Sequence, residues 1–229
     1  QDWVGYFEIQ DAQFTQILPQ IYQLLAKGFK PYIQALKDFQ AKKIDKTKLS
    51  QVFDLYRILV VMRYGDLGLQ QINHMMTQYM LNALNITPQE WYLGRPVMMT
   101  YNDYQLGLSN GDIGICLTNS DVDEQDERYY VYFPSLDRDI AVARLPQSIQ
   151  TAYALTIHKS QGSEFKHVAV VLDDQAQQLL SKELIYTAIT RAKKMVSLYA
   201  TTTALTTSFQ VKTQRQSGLQ QQVERIFQP

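Results

Sequence analysis

Apolar side chains recur about every 3.6 residues over the first quarter of the chain, which is the spacing of amphipathic helices. The pattern covers residues 13–58 and is clearest at Phe14, Ile17, Leu18, Ile21, Leu24 and Leu25. Pro19 predicts a kink or a split, because proline lacks the N–H that an interior helical residue donates. Pro31 predicts the start of a further helix, since proline is favoured at a first helical position. We interpret residues 1–50 as a helical segment that carries no chemistry.

A buried strand is predicted next. Residues Ile58–Met62 form an uninterrupted apolar run that ends at Arg63-Tyr64-Gly65, and such a run followed by a turn is typical of a central strand. Beyond the turn, apolar positions at helical spacing predict an amphipathic helix, at Leu69, Ile72, Met76, Tyr79, Met80 and Ala83. Strand, turn and helix in this order begin an α/β unit.

The pattern changes again between residues 94 and 146. Four short strands are predicted, at Pro96–Tyr101, Asp112–Leu117, Tyr129–Phe133 and Asp139–Leu145, with glycines and a proline between them. Several short strands within about fifty residues favour a small barrel. The acidic run Asp121–Glu127 is expected to form an exposed hairpin loop. Because α/β spacing resumes afterwards, we interpret this barrel as an insertion.

The α/β pattern continues to the end of the chain. It predicts strands at Ala154–Ile157, Val168–Leu172 and Met195–Ala200. Ser181 predicts the N-cap of a helix that runs to about Lys194, and a last helix is predicted around residues 219–226. We therefore expect five segments: N-terminal helices at 1–50, the first part of an α/β domain at 51–93, an inserted barrel at 94–147, the second part of the α/β domain at 148–210 and a C-terminal tail at 211–229.

Composition narrows the class of protein. The 229 residues are 45% hydrophobic and 19% charged, which predicts a folded chain, and no apolar run approaches the roughly 18 residues of a membrane span, so no membrane contact is expected. Cys116 is the only cysteine, which excludes an internal disulfide and a cysteine-rich zinc site and fits a reducing compartment such as the cytoplasm. We expect it to be a buried, inert thiol.

Charge is neutral overall but uneven along the chain. The 22 basic groups balance the 22 acidic groups, yet residues 94–147 carry 4 basic and 9 acidic groups, and residues 148–229 carry 9 basic and 5 acidic groups. The last third is therefore the better candidate for binding phosphates, although an imbalance of this size also arises on ordinary surfaces.

A predicted strand leads directly into a polar segment at residues 156–165, Thr-Ile-His-Lys-Ser-Gln-Gly-Ser-Glu-Phe. Ligands of α/β sheets bind at the carboxyl ends of strands, and glycine lets a backbone approach a ligand closely. Composition alone leaves an ordinary polar loop equally open.

The helix predicted after Ser181 offers a second candidate. Glu183, Thr187 and Arg191 are spaced four residues apart and share one face. An arginine on a packed helix can bind phosphate through two nitrogens, while a surface ion pair is the plainer alternative. Arg63, at the end of the first predicted strand, is weak evidence by itself.

Together these segments resemble a known family. Residues 156–165 and Tyr-Thr-Ala-Ile-Thr-Arg-Ala at 186–192 are similar to motifs V and VI of superfamily 1 DNA helicases, and we use those two names below. Gly-Arg-Pro-Val-Met-Met at 94–99 and Asn-Gly-Asp-Ile-Gly at 110–114 narrow the resemblance to the RecD family, the alpha subunits of exodeoxyribonuclease V. It extends from about residue 40 to 218. It implies a second RecA-like motor domain, of P-loop NTPase type, interrupted by an SH3-like barrel.

The resemblance also implies roles on the nucleotide side. Arg63 takes the motif IV position, and Arg191 takes that of the motif VI arginine finger. Both would contact the γ-phosphate of ATP between two motor domains, and the physical need is stabilisation of charge on the transferred phosphoryl group. Gln161, Gly162 and Glu164 would line the same nucleotide.

On the DNA side, the resemblance implies that Thr156, His158 and Ser160 face single-stranded DNA. Hydroxyl and backbone donors suit a protein that follows the phosphates of one strand without reading its bases. The family further implies 5′-to-3′ movement, a role in double-strand-break repair, and RecB- and RecC-like partner subunits.

One departure from a complete helicase is clear. The sequence has no Gly-x-x-x-x-Gly-Lys-Ser/Thr phosphate loop, and Asp173-Asp174 lies where it does not fit a Mg²⁺ site. Since the chain also begins with Gln1, we expect the C-terminal portion of a longer polypeptide, whose missing part supplies the ligands for Mg²⁺. A stand-alone or relaxase-type RecD-like helicase and a non-catalytic docking module for DNA or protein are the alternatives.

Overall fold

A computed structural model of the chain describes residues 3–10, 14–119, 128–176 and 178–210. The acidic loop predicted at 121–127 and the last helix predicted at 219–226 lie outside the described residues. The described residues form one parallel sheet, one antiparallel sheet and six α-helices. Elements are numbered along the chain.

The parallel sheet confirms the predicted α/β class. Its strands are β1 (Trp3–Glu8), β2 (Tyr56–Val60), β8 (Ala154–Thr156), β9 (Phe165–Leu172) and β10 (Ala192–Ala200), in the order β1-β10-β9-β2-β8. All five residues of β2 are buried, as expected of a central strand covered on both faces.

Four helices precede the antiparallel sheet and two lie in the last third of the chain. They are α1 (Phe14–Lys27), α2 (Lys30–Gln40), α3 (Lys46–Phe53), α4 (Leu69–Leu84), α5 (Lys182–Ile189) and α6 (Thr202–Gln210). Pro19 lies inside α1 without splitting it. Pro31 is in the first turn of α2, close to the predicted position. Among the described residues, no helix is both long and apolar enough to cross a bilayer.

The first fifty residues are not only helical, which corrects the prediction for 1–50. Strand β1 adds to the edge of the parallel sheet and pairs with β10 from Trp3–Met195 to Glu8–Ala200. Five of its six residues are exposed, so the strand lacks the alternation of buried and exposed positions that sequence patterns detect. Pairing with a strand almost two hundred residues away is a tertiary effect.

Helix α5 ends earlier than predicted. The Ser181 hydroxyl accepts a hydrogen bond from the Leu184 N–H at 3.2 Å, which confirms the predicted N-cap. The helix stops at Ile189 instead of Lys194, because β10 begins at Ala192 and pairs with β9. Ladder hydrogen bonds to β9 replace the helical bonds that the local pattern would support.

Residues 96–151 contain the antiparallel sheet. Its strands are β3 (Pro96–Met98), β4 (Ile113–Thr118), β5 (Tyr129–Phe133), β6 (Arg138–Ala141) and β7 (Gln150–Thr151), in the order β6-β5-β4-β3-β7. The strand predicted at 139–145 ends at Ala141 and continues as a 3-10 turn. Cys116 is free and buried as predicted, and burial raises the pKa of its thiol to about 12.

Gly94 connects the two sheets. Its carbonyl accepts hydrogen bonds from the hydroxyls of Tyr32 and Tyr153 at 3.0 and 3.2 Å, and its N–H donates to the backbone carbonyl of Cys116 at 2.8 Å. Its φ is +84°, and a Cβ there would lie 2.5 Å from the Leu36 Cδ1. Only glycine fits this junction, because the backbone is left-handed and the space is filled.

Candidate nucleotide and DNA site

Motif V runs from the carboxyl ends of the strands of the parallel sheet, which we call the carboxyl edge, to their amino ends, which we call the amino edge. It leaves the carboxyl end of β8 at Thr156, passes through a 3-10 turn at His158–Ser160 and enters the amino end of β9 at Phe165. The Ile157 N–H donates to the Val60 carbonyl at 3.0 Å, which holds the start of the turn beside β2. Motif V therefore reaches both edges of the sheet.

Ser160 is buried, contrary to its predicted role facing DNA. Its side chain has 0% exposure, and its hydroxyl donates to the Ile157 carbonyl at 2.7 Å. A hydroxyl that is enclosed and bonded inside its own turn stabilises the turn and is not available to a ligand. The prediction for Ser160 was wrong because the sequence does not reveal which face of a tight turn is covered.

Gln161 and Gly162 lie at the exposed part of motif V. Gly162 has a φ of +87°, and a Cβ added to it would meet nothing within 4 Å. Glycine is required here for the left-handed backbone and not for packing. The open space beside Gly162 leaves its backbone accessible to a ligand.

Arg191 joins motif VI to motif V. Its Nε donates to the Thr187 carbonyl at 3.2 Å, and its two terminal nitrogens donate to the Thr190 hydroxyl at 3.2 Å and the Ser163 carbonyl at 3.3 Å. The side chain is half-buried. The structure thus places Arg191 beside the second half of motif V, although its contacts are carbonyls and a hydroxyl.

Glu164 immediately precedes β9, whose first residue, Phe165, donates its N–H to the Arg191 carbonyl at 2.8 Å. Its carboxylate pairs with the Lys193 ammonium at 3.3 Å, and both side chains are more than half exposed. Such a pair stabilises the fold by about 1 kcal/mol at most. Glu164 therefore has accessible surface near Gly162, and its contact with a nucleotide stays a prediction.

Arg63 lies at the opposite edge of the sheet from Arg191, which corrects the prediction that they meet at one phosphate. Arg191 immediately precedes β10 at the amino edge, whereas Arg63 follows β2 at the carboxyl edge. The strands between them separate these edges by roughly 20 Å at ~3.3 Å per residue. Arg63 is exposed and donates to the Gln150 side chain at 3.3 Å.

Thr156 and His158 lie at the carboxyl edge, away from Arg191. Thr156 is half-buried, and its hydroxyl accepts a hydrogen bond from the Lys159 N–H at 3.3 Å, while His158 is exposed. The Lys159 ammonium donates to the Asn110 side chain at 2.8 Å. The first half of motif V therefore contacts the region that carries the antiparallel sheet.

Comparison with known proteins found relatives over most of the chain. The UvrD-like helicase C-terminal domain family matches residues 151–199, which include motifs V and VI. RecD of Haemophilus influenzae is 33% identical over 223 residues, covering 90% of this chain and 33% of that protein. RecD of Mycobacterium tuberculosis is 33% identical over 172 residues, covering 75% and 29%.

The resemblance to RecD is confirmed. The chain spans about a third of the length of these curated relatives. The ATP-dependent RecD2 DNA helicase of Deinococcus radiodurans is 34% identical over 141 residues, covering 60% of this chain and 19% of that enzyme. Among solved structures, a Bacteroides Pif1 helicase with ADP-AlF3 and single-stranded DNA aligns with a TM-score of 0.46 and 17% identity, covering 86% and 54%.

Arg57 is a buried charged residue that the sequence pattern did not single out. It is fully buried in β2, between the rings of Phe53 at 3.9 Å and Phe165 at 4.9 Å. Its guanidinium donates to the Ala152 carbonyl at 2.7 Å and the Asp54 carboxylate at 3.0 Å. Burial lowers the pKa of Arg57 to about 10, and Asp54 opposes that shift. The sequence feature that could have revealed its burial is an arginine next to the apolar run that forms β2.

The paired acids at the end of β9 serve the local structure. Asp173 accepts a hydrogen bond from the Gln175 N–H at 3.0 Å, and Asp174 accepts one from the Thr201 hydroxyl. Burial raises the pKa of Asp173. Within the described ranges, no group of three or more acidic, histidine or cysteine side chains could hold a metal ion.

Proposed function

We propose that this chain is the C-terminal motor portion of an ATP-dependent 5′-to-3′ DNA helicase of the RecD type. One observation carries the proposal. Motif V spans the parallel sheet, with Thr156 and His158 at the carboxyl edge and its other end bonded to Arg191 at the amino edge. A single segment that would contact the nucleotide at one end and DNA at the other suits a motor that couples ATP hydrolysis to movement along single-stranded DNA.

The nucleotide side is proposed at the amino edge. Arg191 would stabilise the charge that develops on the γ-phosphate, and Gln161, Gly162 and Glu164 would contact the rest of the nucleotide. The long bonds from Arg191 to the Ser163 and Thr190 oxygens, 3.3 and 3.2 Å, are ones that a phosphate could replace. ATP would bring the phosphoryl group, and the ligands of Mg²⁺ would come from outside this chain.

The domain arrangement is a related proposal. We assign residues 51–93 and 148–210 to a second RecA-like motor domain and residues 94–147 to an SH3-like barrel inserted into it. The five-stranded antiparallel sheet supports the insertion, since it interrupts a parallel sheet whose strands β2 and β8 are adjacent in space. Residues 1–50 then contribute both helices and the edge strand β1.

Double-strand-break repair with RecB- and RecC-like partners is the proposed setting. Its support is that the relatives aligned over most of this chain are named as RecBCD subunits. The match to Deinococcus RecD2 supports a stand-alone helicase as the second candidate. Purification of the longer protein from its own cells separates the two, because only a RecBCD-type subunit would bring two large partner chains with it.

The test of the site is the Arg191→Ala variant of the longer protein that contains this chain. We expect a loss of ATP turnover on the order of 10³ to 10⁵, as for a trans-acting arginine, with nearly unchanged affinity for single-stranded DNA. Lys194→Ala, an exposed neighbour, is the matched control. Joint replacement of Thr156 and His158 by alanine should instead preserve basal hydrolysis and weaken its stimulation by DNA. Turnover near the parental rate in Arg191→Ala would contradict the assignment.

A further inference from the structure

Two exposed tyrosines lie on the loop that connects β3 to β4. Tyr104 is 90% exposed and Tyr101 is 45% exposed. A ring as exposed as that of Tyr104 contributes little to folding, because it leaves most of its apolar area in water. Motifs V and VI assign no role to this loop.

The loop is well anchored although it lacks regular structure. The backbone groups of Asp103 and Leu108 exchange two hydrogen bonds of 2.7 and 3.0 Å, and Leu106 and Leu108 are buried. The Asp103 carboxylate accepts hydrogen bonds from the Gln105 and Leu106 N–H groups at 3.0 Å each. Tyr104 therefore lies at the tip of a hairpin that these hydrogen bonds hold in place, and its ring is exposed to solvent.

The loop is bonded to the first half of motif V. The Asn110 side chain accepts the 2.8 Å hydrogen bond from the Lys159 ammonium, and the Asn110 N–H donates to the Asn102 side chain at 2.8 Å. Lys159 directly follows His158, which the proposed function assigns to DNA. The tyrosine loop and the proposed DNA edge are thus parts of one hydrogen-bonded surface.

We infer that Tyr104, assisted by Tyr101, is a stacking platform for the bases of single-stranded DNA beside motif V. This inference rests on the proposed function. Aromatic rings bind bases of any sequence, since every base has a π face, and a motor that moves along DNA needs contacts of that kind. The Asp103 and Asp112 carboxylates accept hydrogen bonds from backbone N–H groups of the loop and keep their negative charge, so the proposed contact with DNA is made by the tyrosine rings.

The experiment compares variants of the 229-residue chain in binding a fluorescent oligothymidylate at low salt, measured by anisotropy. We expect Tyr104→Ala to weaken binding about tenfold, the scale of one base–aromatic stack, and Tyr104→Phe to retain it. Tyr6→Ala is the matched control, because Tyr6 is 45% exposed on β1, at the other end of the sheet order from β8. An abasic strand of equal length should bind the parent and Tyr104→Ala equally.

Three outcomes would overturn the inference, and they are distinguishable. If the parent binds oligothymidylate and Tyr104→Ala binds it equally, the platform is wrong while the proposed DNA edge stands. If Tyr104→Ala also weakens binding of the abasic strand, the residue acts on the DNA backbone or on the loop and not by stacking. If the parent does not bind oligothymidylate at all, the DNA side of the proposed function fails together with the platform.

Discussion

At the scale of single residues, burial decides what a polar side chain does. Ser160 and Arg57 are polar residues with 0% exposure, and each is bonded within the protein. Arg191 and Glu164 keep accessible surface at the point where motifs V and VI meet. The residues left for ligands are therefore fewer than the sequence motif contains.

Arg57 should contribute to stability rather than to chemistry. Arg57→Ala removes the contacts with Phe53 and Phe165 and leaves the Ala152 carbonyl without its donor. We expect the free energy of unfolding to fall by roughly 3 kcal/mol, the scale of a large-to-small change in a core. Urea denaturation of the chain measures it, with the exposed Lys37→Ala as the control expected within about 0.5 kcal/mol. A loss no larger than that of the control would mean that the buried guanidinium is replaceable by water.

At the scale of elements, two connections between strands and helices have a backbone conformation that requires glycine. Motif V links β8 to β9 without an α-helix, and Gly94 links Tyr32 of α2 and Tyr153, next to β8, to Cys116 of the antiparallel sheet. Both connections depend on a left-handed glycine, with φ of +87° at Gly162 and +84° at Gly94. Of the two connections, the one through Gly162 belongs to the candidate site itself.

Substitution at two glycines separates strain from crowding. Gly94 and Gly107 are both left-handed, but a Cβ at Gly94 would lie 2.5 Å from Leu36, whereas a Cβ at Gly107 would meet nothing within 4 Å. We expect Gly107→Ala to cost about 1 kcal/mol from backbone strain, and Gly94→Ala to cost roughly 1–3 kcal/mol more from overpacking. Thermal and urea unfolding compare the two variants. Equal losses would show that the Leu36 contact relaxes freely.

At the scale of the whole molecule, the chain holds one side of each proposed ligand site. Arg191, Gly162 and Glu164 offer contacts to a nucleotide, but the sequence has no phosphate-cradling Gly-x-x-x-x-Gly-Lys-Ser/Thr segment. The chain matches about a third of the length of its RecD relatives. A complete ATPase would then require another motor domain, which faces the amino edge and carries the phosphate loop.

The isolated chain should accordingly show no sustained ATPase activity. Hydrolysis needs a lysine and Mg²⁺ ligands at the β- and γ-phosphates, and the described residues offer no metal cluster. A coupled assay of the purified 229-residue chain, with and without single-stranded DNA, measures this. Turnover that is stimulated by DNA and lost in Arg191→Ala would contradict the half-site proposal.

The sequence by itself determined the features that depend on neighbouring residues. The apolar run of β2, the Ser181 cap and the change to short strands after Gly94 are local patterns, and the structure contains each of them. The resemblance to RecD was equally visible, because motifs V and VI are short contiguous segments. Turn chemistry and periodicity act over a few residues, so a single sequence records them.

Tertiary structure alone decided how the segments combine. Edge strand β1 exists because it pairs with β10, and α5 stops early because β10 also pairs with β9. Arg63 and Arg191 lie at opposite ends of the strands of the parallel sheet, and Ser160 and Arg57 are fully buried. These outcomes depend on residues that are distant along the chain, and hydrogen bonding and burial between such residues leave no periodic trace in the local sequence.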